Sequence, residues 1–234
     1  KHHMSEPKYH LPGIFDPTHA HPCDAHSILM RLIPPGSRVL ELGCASGYLS
    51  GYMEQALRCR VTGVDADPTA TAIAAERCSE VFTADLDMPE ALEPARTGAP
   101  YDVLFAAAVL EHLKEPERLL RDAGRLLASD ALVIVSLPNI AHWSFRLQLL
   151  RGRFDYTDYG VMDRTHCRLY TVATGRALLE DQGYRVERLA IAGSALQNVL
   201  TGLAKRLGMA EPRPILAGLL AYELIYVARL ARQG

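Results

Sequence analysis

Three acidic residues stand where a nucleotide could be held. Glu41 is followed by Gly43 and Gly47, with only Cys44, Ala45 and Ser46 between the glycines. Asp65 lies about twenty residues beyond that turn, and Asp85 about twenty beyond Asp65. Glycine lets backbone approach a ligand closely, since no Cβ stands in the way. A dinucleotide fingerprint needs G-x-G-x-x-G after the first strand, and this chain lacks the G-x-G start. A carboxylate ahead of the first glycine repels a pyrophosphate and suits an ammonium group. An acid about twenty residues further on suits a ribose diol. Asp85, beside Leu86, is placed for an adenine amine. The set fits an adenosine that carries a cationic amino-acid tail and no phosphate.

Those side chains need strand ends to hold them, and the hydrophobic pattern supplies them. A helix over 24–33 precedes a strand over 38–42. Helix 47–57, strand 60–64, helix 68–78 and strand 81–84 follow. A short helix at 89–95, strand 101–106, helix 115–128 and strand 131–137 continue the alternation. After Pro138, residues 139–170 lose all regularity and turn aromatic, basic and polar. Helix 172–182, strand 184–191, a helix over 195–207 and a last strand over 222–227 close the chain. Strand–helix alternation of this kind predicts an α/β, Rossmann-like doubly wound sheet with ligands above the carboxyl ends of the strands. The expected sheet is seven-stranded and mostly parallel, with an antiparallel last strand beside the sixth. The expected lid is the 139–170 insertion after the fifth strand. Residues 5–234 read as a single domain, and 1–4 as the remnant of a tag.

Four segments carry a resemblance. ELGCASG at 41–47, GVDADP at 63–68, ADLD at 84–87 and VLEHLKEPERLL at 109–120 resemble the successive motifs of class I methyltransferases that use S-adenosylmethionine (SAM). They come in the family's order and span roughly residues 24–193. SLPNIAHW at 136–143 and MDRTHCRLYT at 162–171 are similar to a subgroup of bacterial small-molecule methyltransferases. The resemblance implies that Glu41, Gly43 and Gly47 line the methionine part of the cofactor. It implies that Asp65 takes the ribose hydroxyls, and that Asp85 with Leu86 takes the adenine. Cys44, Ala45, Ala66 and Ala107 complete the implied cofactor set. Ala45 replaces the middle glycine of the commoner E-x-G-x-G-x-G pattern. Ala128-Ser129-Asp130 replaces a Pro-Gly-Gly turn. The product would be S-adenosylhomocysteine (SAH).

Methyl transfer to a hydroxyl needs a base with a pKa near the working pH, and histidine suits that best. His166 is the first candidate, because it lies in the polar insertion between Arg164 and Arg168. Guanidinium neighbours would disfavour its charged form. His166 and Asp163 could equally pin the insertion to the core. His142 is the second candidate. His112 either faces the cofactor or packs. Arg164 and Arg168 are candidates for an acidic substrate group, or partners for Asp155, Asp158 or Asp163. Asn139, Trp143 and Tyr156 join them as substrate-binding candidates, with Phe145 and Tyr159 as further walls of a pocket or of a small local core. Tyr9 and His10 could close over the cofactor.

Composition narrows the classes. The net charge is −2, so no basic field points to nucleic acid, and no Asn/Asp-Pro-Pro-Tyr/Phe motif follows the fourth strand. Five scattered cysteines without a CxxC pair fit a reducing compartment and a cytoplasmic protein. The apolar run 215–227 contains Glu223 and is too short to span a bilayer. His19, His21, Cys23 and His26 resemble a ligand cluster. Pro22 interrupts them and no second cluster follows, so no metal is assigned. The expected partner is a small-molecule acceptor such as a sugar, natural product or other metabolite, and a homo-oligomer is compatible. A hydroxyl acceptor is preferred to nitrogen or carbon. Two other classes stay open: a non-catalytic SAM-binding module and a nicotinamide oxidoreductase.

Overall fold

The computed structural model describes residues 11–21, 23–193 and 218–231. Helix α1 (Ala25–Leu32) starts where the Asp24 carboxylate accepts the Ser27 N–H, satisfying one of the open donors of a first turn. It ends before Pro34-Pro35-Gly36, and Gly36 has φ +77°. The chain then alternates: β1 (Arg38–Leu42), α2 (Tyr48–Gln55), β2 (Arg60–Asp65), α3 (Pro68–Ala74), β3 (Glu80–Thr83), β4 (Tyr101–Ala107), α4 (Pro116–Gly124) and β5 (Leu127–Pro138). Helix α5 (Trp143–Leu150) lies within the segment after β5. Then come α6 (Val172–Glu180), β6 (Tyr184–Gly193) and β7 (Ala221–Leu230).

The sheet has seven strands in the order β3-β2-β1-β4-β5-β7-β6. Four crossovers keep β1 to β5 parallel, and β7 runs antiparallel to both β5 and β6. Each central strand is apolar on both faces. Val39, Val61, Val103, Phe105 and Ile134 pack against α1 and α2. Leu40, Leu42, Leu104, Val133 and Val135 face the other way, toward α4 and α6. Alternate residues of one strand thus enter two cores, the condition for a sheet covered on both sides. The strand order reverses direction between β1 and β4, so a crevice opens above their carboxyl ends.

Several boundaries differ from those read in the sequence. Helix α4 stops at Gly124, not residue 128, and β5 begins at Leu127, not 131. The Leu126 carbonyl accepts the Tyr101 N–H, so sheet pairing captures the residues that helical periodicity had claimed. Helix α3 stops at Ala74 rather than 78. In place of a helix at 89–95 there are turns and a 3₁₀ segment, Pro94–Gly98. Residues 139–170 are not wholly irregular, since α5 lies within them. The expected helix 195–207 and the candidates Tyr9 and His10 lie outside the described residues. Among the described residues, no helix is long and apolar enough to cross a membrane.

Candidate active site

The β1–α2 turn is built by hydrogen bonds that glycine alone permits. Gly43 N–H donates to the Val64 carbonyl at 2.8 Å and Gly47 N–H to the Cys44 carbonyl at 2.9 Å. Both glycines are left-handed, at φ +72° and +75°. A Cβ on Gly43 would stand 2.5 Å from Val109 Cγ2, so the β4 loop closes directly over it. Ala45 also has a positive φ, 45°, so the small residue in the middle position adopts the conformation that a glycine would favour there.

Above the turn lies a cleft of about 760 Å³, within the size range of small-molecule sites. Glu41, Gly43, Cys44 and Ala45 line it from β1. Asp65 and Ala66 line it from β2, Asp85 and Leu86 from the end of β3, and Ala107 from β4. Gly47 does not line it. This residue is buried at the start of α2, where an added Cβ would meet Ala74 at 3.2 Å. The cleft also has walls that were not assigned from the sequence, including His26, Tyr48, Val109 and Thr165, and it takes in His112 and Tyr159, which the sequence offers as cofactor-facing and as a pocket wall. His26 packs on Tyr48 with ring centroids 5.7 Å apart.

The acids are held in place by the backbone. Asp65 Oδ2 accepts the Ala45 N–H at 2.8 Å and Oδ1 accepts the Asp67 N–H at 2.9 Å. One carboxylate therefore ties the glycine turn to the end of β2. Each oxygen keeps acceptor capacity for a further donor. Asp85 Oδ1 accepts the Asp87 N–H at 3.0 Å, and Asp87 in turn accepts the Lys114 N–H at 2.8 Å. Glu41 is buried and takes a hydrogen bond from the Ser50 hydroxyl. Burial, with a smaller contribution from Asp65, pushes its carboxyl up to about 8.

A second cavity of about 230 Å³ adjoins the cleft. Ala108 and His112 line both. Glu111, Asp163, His166, Tyr222 and Glu223 line the second cavity and not the cleft. Glu111 is 1% exposed, and burial pushes its carboxyl up to about 8. His166 Nδ1 lies 3.0 Å from the Val161 carbonyl, and its Nε2 lies 4.0 Å from Glu111 Oε1. The rings of His112 and His166 meet edge to face at 4.7 Å between centroids. Arg164 pairs with Asp158 at 2.9 Å and Arg168 with Glu117 at 3.0 Å. The neighbour of the His166 imidazole is therefore a carboxyl and not a guanidinium, which corrects the environment expected from chain order.

The remaining candidates are dispersed. His142 is buried at the N-terminus of α5, where Nδ1 accepts the Ser144 N–H at 3.4 Å and meets the Ser144 hydroxyl at 2.8 Å. Burial lowers its pKa. Asn139 is fully buried, donating from Nδ2 to the Gly218 and Ala221 carbonyls at 2.9 and 2.8 Å. Trp143 and Tyr156 are exposed, Tyr156 against Phe154 at 5.4 Å. The 19–26 group does not converge. His19 binds Asp16, His21 and Cys23 line another cavity, and His26 lies in the wall of the larger cleft. All five cysteines are free thiols.

A seven-stranded sheet of this order, with acids at the ends of β1, β2 and β3 around a glycine turn, defines a class I SAM-dependent methyltransferase fold. A family model described as a methyltransferase domain matches residues 18–189, and the chain belongs to that family. It is 36% identical over 108 residues to a ubiquinone biosynthesis O-methyltransferase of Caulobacter sp. (strain K31), covering 44% of this chain and 42% of that protein. The chain thus spans less than half the length of this curated relative. Among solved structures, a SAM-dependent methyltransferase from Methanosarcina mazei superposes with a TM-score of 0.60 at 14% identity, covering 90% of this chain and all of that one. The [4+2]-cyclase SpnF superposes with a TM-score of 0.57 at 18% identity over 88% of this chain and 80% of that one. That fold alone therefore does not decide the reaction.

A pH dependence follows from Glu41. Its value in the folded, ligand-free protein lies above the 4.5 of an ordinary glutamate, so the fold retains a proton that the unfolded chain releases. That contribution to stability is full below about pH 4.5 and is lost as pH rises to about 8. An ammonium group needs the carboxylate, so binding below pH 8 must release the proton. Affinity for SAH should rise up to about tenfold per pH unit toward pH 8 and then level off. Calorimetry in buffers of different ionisation enthalpy measures the released proton. An affinity that stays flat from pH 6 to 8 would sink the pairing of Glu41 with the ammonium.

Proposed function

We propose that this protein transfers a methyl group from SAM to a hydroxyl of a small-molecule acceptor. SAM supplies an electrophilic methyl on a sulfonium centre. The donor set of the cleft matches that cofactor: a carboxyl for the ammonium, the oriented Asp65 carboxylate for the ribose diol, and Asp85 with Leu86 for the adenine. The observation that carries the reading is the shared wall of the two cavities. Ala108 and His112 stand between the cofactor cleft and the compartment holding Glu111 and His166. The acceptor sits in that second compartment. His166 takes the hydroxyl proton at Nε2, the nitrogen nearest Glu111, and Glu111 stabilises the imidazolium that forms. Holding the two reactants in adjoining cavities makes proximity a large part of the rate.

Residues 139–170 serve as the lid. Tyr159 and Thr165 reach the cofactor cleft from it and His166 reaches the acceptor side. His142 and Asn139 position its start. Trp143, Tyr156, Arg164 and Arg168 lie on its outer part, where they meet the remote portion of a larger acceptor. The curated relative named as an O-methyltransferase supports oxygen as the acceptor atom.

A non-catalytic or rearranging SAM-binding protein is the second reading, favoured by the cyclase that shares the fold. Methyl-labelled SAM offered with phenols, sugars, polyketide-type alcohols and amines separates them. Label on hydroxyl acceptors is expected. Label on amines alone would overturn the oxygen assignment, and SAH binding without transfer to any acceptor would favour the second reading.

A further inference from the structure

Two histidines and a glutamate gather at the boundary of the two cavities in the manner of a metal centre. One ligand atom from each of Glu111, His112 and His166 lies within 4.8 Å of the other two, the one such grouping of His, Cys, Asp or Glu among the described residues. The imidazoles are already oriented. His166 Nδ1 faces the Val161 carbonyl at 3.0 Å, and His112 Nδ1 faces the Thr165 carbonyl at 3.3 Å. A carbonyl only accepts, so in each neutral ring Nδ1 carries the hydrogen and Nε2 the lone pair. Metal-bound histidines are fixed in this way, by donating the other ring N–H to a backbone carbonyl. Thr165 is itself fastened, donating from its hydroxyl to Asp163 at 2.8 Å.

Glu111 supplies the second, independent observation. Its Oε2 is buried and has no hydrogen-bond partner, an arrangement that costs free energy unless something positive meets it. His166 Nε2 and Glu111 Oε1 face each other at 4.0 Å, too far for a hydrogen bond. Two ligands of a tetrahedral ion with bonds of about 2.0–2.1 Å stand about 3.3 Å apart. Contraction of less than about 1 Å brings this pair onto one ion.

We propose that Glu111, His112 and His166 bind one divalent first-row transition ion, with open coordination positions toward the second cavity. Two imidazoles and one carboxylate match zinc, manganese or ferrous sites better than magnesium, which prefers oxygen throughout. An ion there would lie against the acceptor. The consequence for turnover rests on the methyltransferase reading: the ion would hold the acceptor oxygen and lower the pKa of its hydroxyl, with His166 acting as ligand in the loaded protein. The binding site itself does not depend on that reading.

Three readouts test it on the full chain after treatment with chelator. Wild-type protein should take up one Mn²⁺, followed by electron paramagnetic resonance, and one Co²⁺, followed by its visible absorption, with Zn²⁺ displacing both. Replacement of His2 and His3 by alanine should leave this uptake unchanged. Glu111→Gln and His166→Asn should each weaken Mn²⁺ binding at least about 100-fold and alter the Co²⁺ spectrum, while SAH affinity stays within about threefold as the check on folding. Absence of stoichiometric uptake by the wild-type protein overturns the site without reference to any variant. Uptake that survives both substitutions overturns it as well. If the ion binds as described but the chelated protein methylates its acceptor at the full rate, the site stands and its role in turnover fails. If the ion binds and no acceptor is ever methylated, the methyltransferase reading fails and the metal site remains.

Discussion

Asp65→Ala should raise the dissociation constants for SAM and SAH by at least about 100-fold. Hydrogen bonds to a charged group contribute about 1.5–3 kcal/mol each, and two bonds from a ribose diol place the loss at roughly 10² to 10⁴. The substitution removes more than those bonds. Asp65 also accepts the Ala45 and Asp67 N–H groups, so the alanine variant releases the glycine turn from the end of β2. Asp65→Asn separates the two effects, since the amide oxygen can keep one backbone donor. It should bind SAH more tightly than the alanine variant and more weakly than the wild type. Calorimetry with SAH measures both, and circular dichroism reports whether the sheet persists. Unchanged affinity in the alanine variant would sink the ribose assignment.

This half of the site was legible in the sequence because its determinants are local. A strand end, a turn of small residues and an acid are contiguous from Val39 to Gly47, and each later acid closes its own strand. The strand–helix alternation also carried the doubly wound, mostly parallel sheet with its antiparallel last strand, while the strand order itself comes from the structure. What chain order could not give was the second cavity. Glu111 and His112 follow β4, whereas His166 arrives on a distant loop whose Thr165 meets His112 across a separation of 53 residues. Chain order placed arginines on either side of His166, and the fold pairs Arg164 with Asp158 within the same insertion and Arg168 with Glu117 of α4. The motif VLEHL contained Glu111 and His112, and His112 reads as facing the cofactor or packing, but Glu111 among apolar neighbours gave no sign that it lines a cavity. Asn139 and His142, polar residues at the start of the irregular stretch, also take structural bonds: Asn139 donates to the Gly218 and Ala221 carbonyls, and His142 Nδ1 caps α5 while its buried Nε2 has no hydrogen-bond partner.

In the metal-free protein, His166→Ala should lower turnover by about 10² to 10⁴-fold, the usual contribution of a positioned base, with SAH affinity within about twofold of wild type. The second half of that expectation follows from placement: His166 lines the second cavity and not the larger cleft. The loss should depend on the acceptor. A phenol whose pKa approaches the working pH is already largely ionised, so the variant should lose least with it and most with an alcohol. A structural role for His166 would slow all acceptors equally, and full activity would remove it from the reaction altogether. His142→Ala makes the contrast. That side chain accepts the Ser144 N–H at the start of α5, and loss of a helix cap costs about 1 kcal/mol of stability. The variant should melt a few degrees lower and retain the same relative rates across the acceptor series. A His142 variant that shows the acceptor dependence assigned to His166 would transfer the role of base from one histidine to the other.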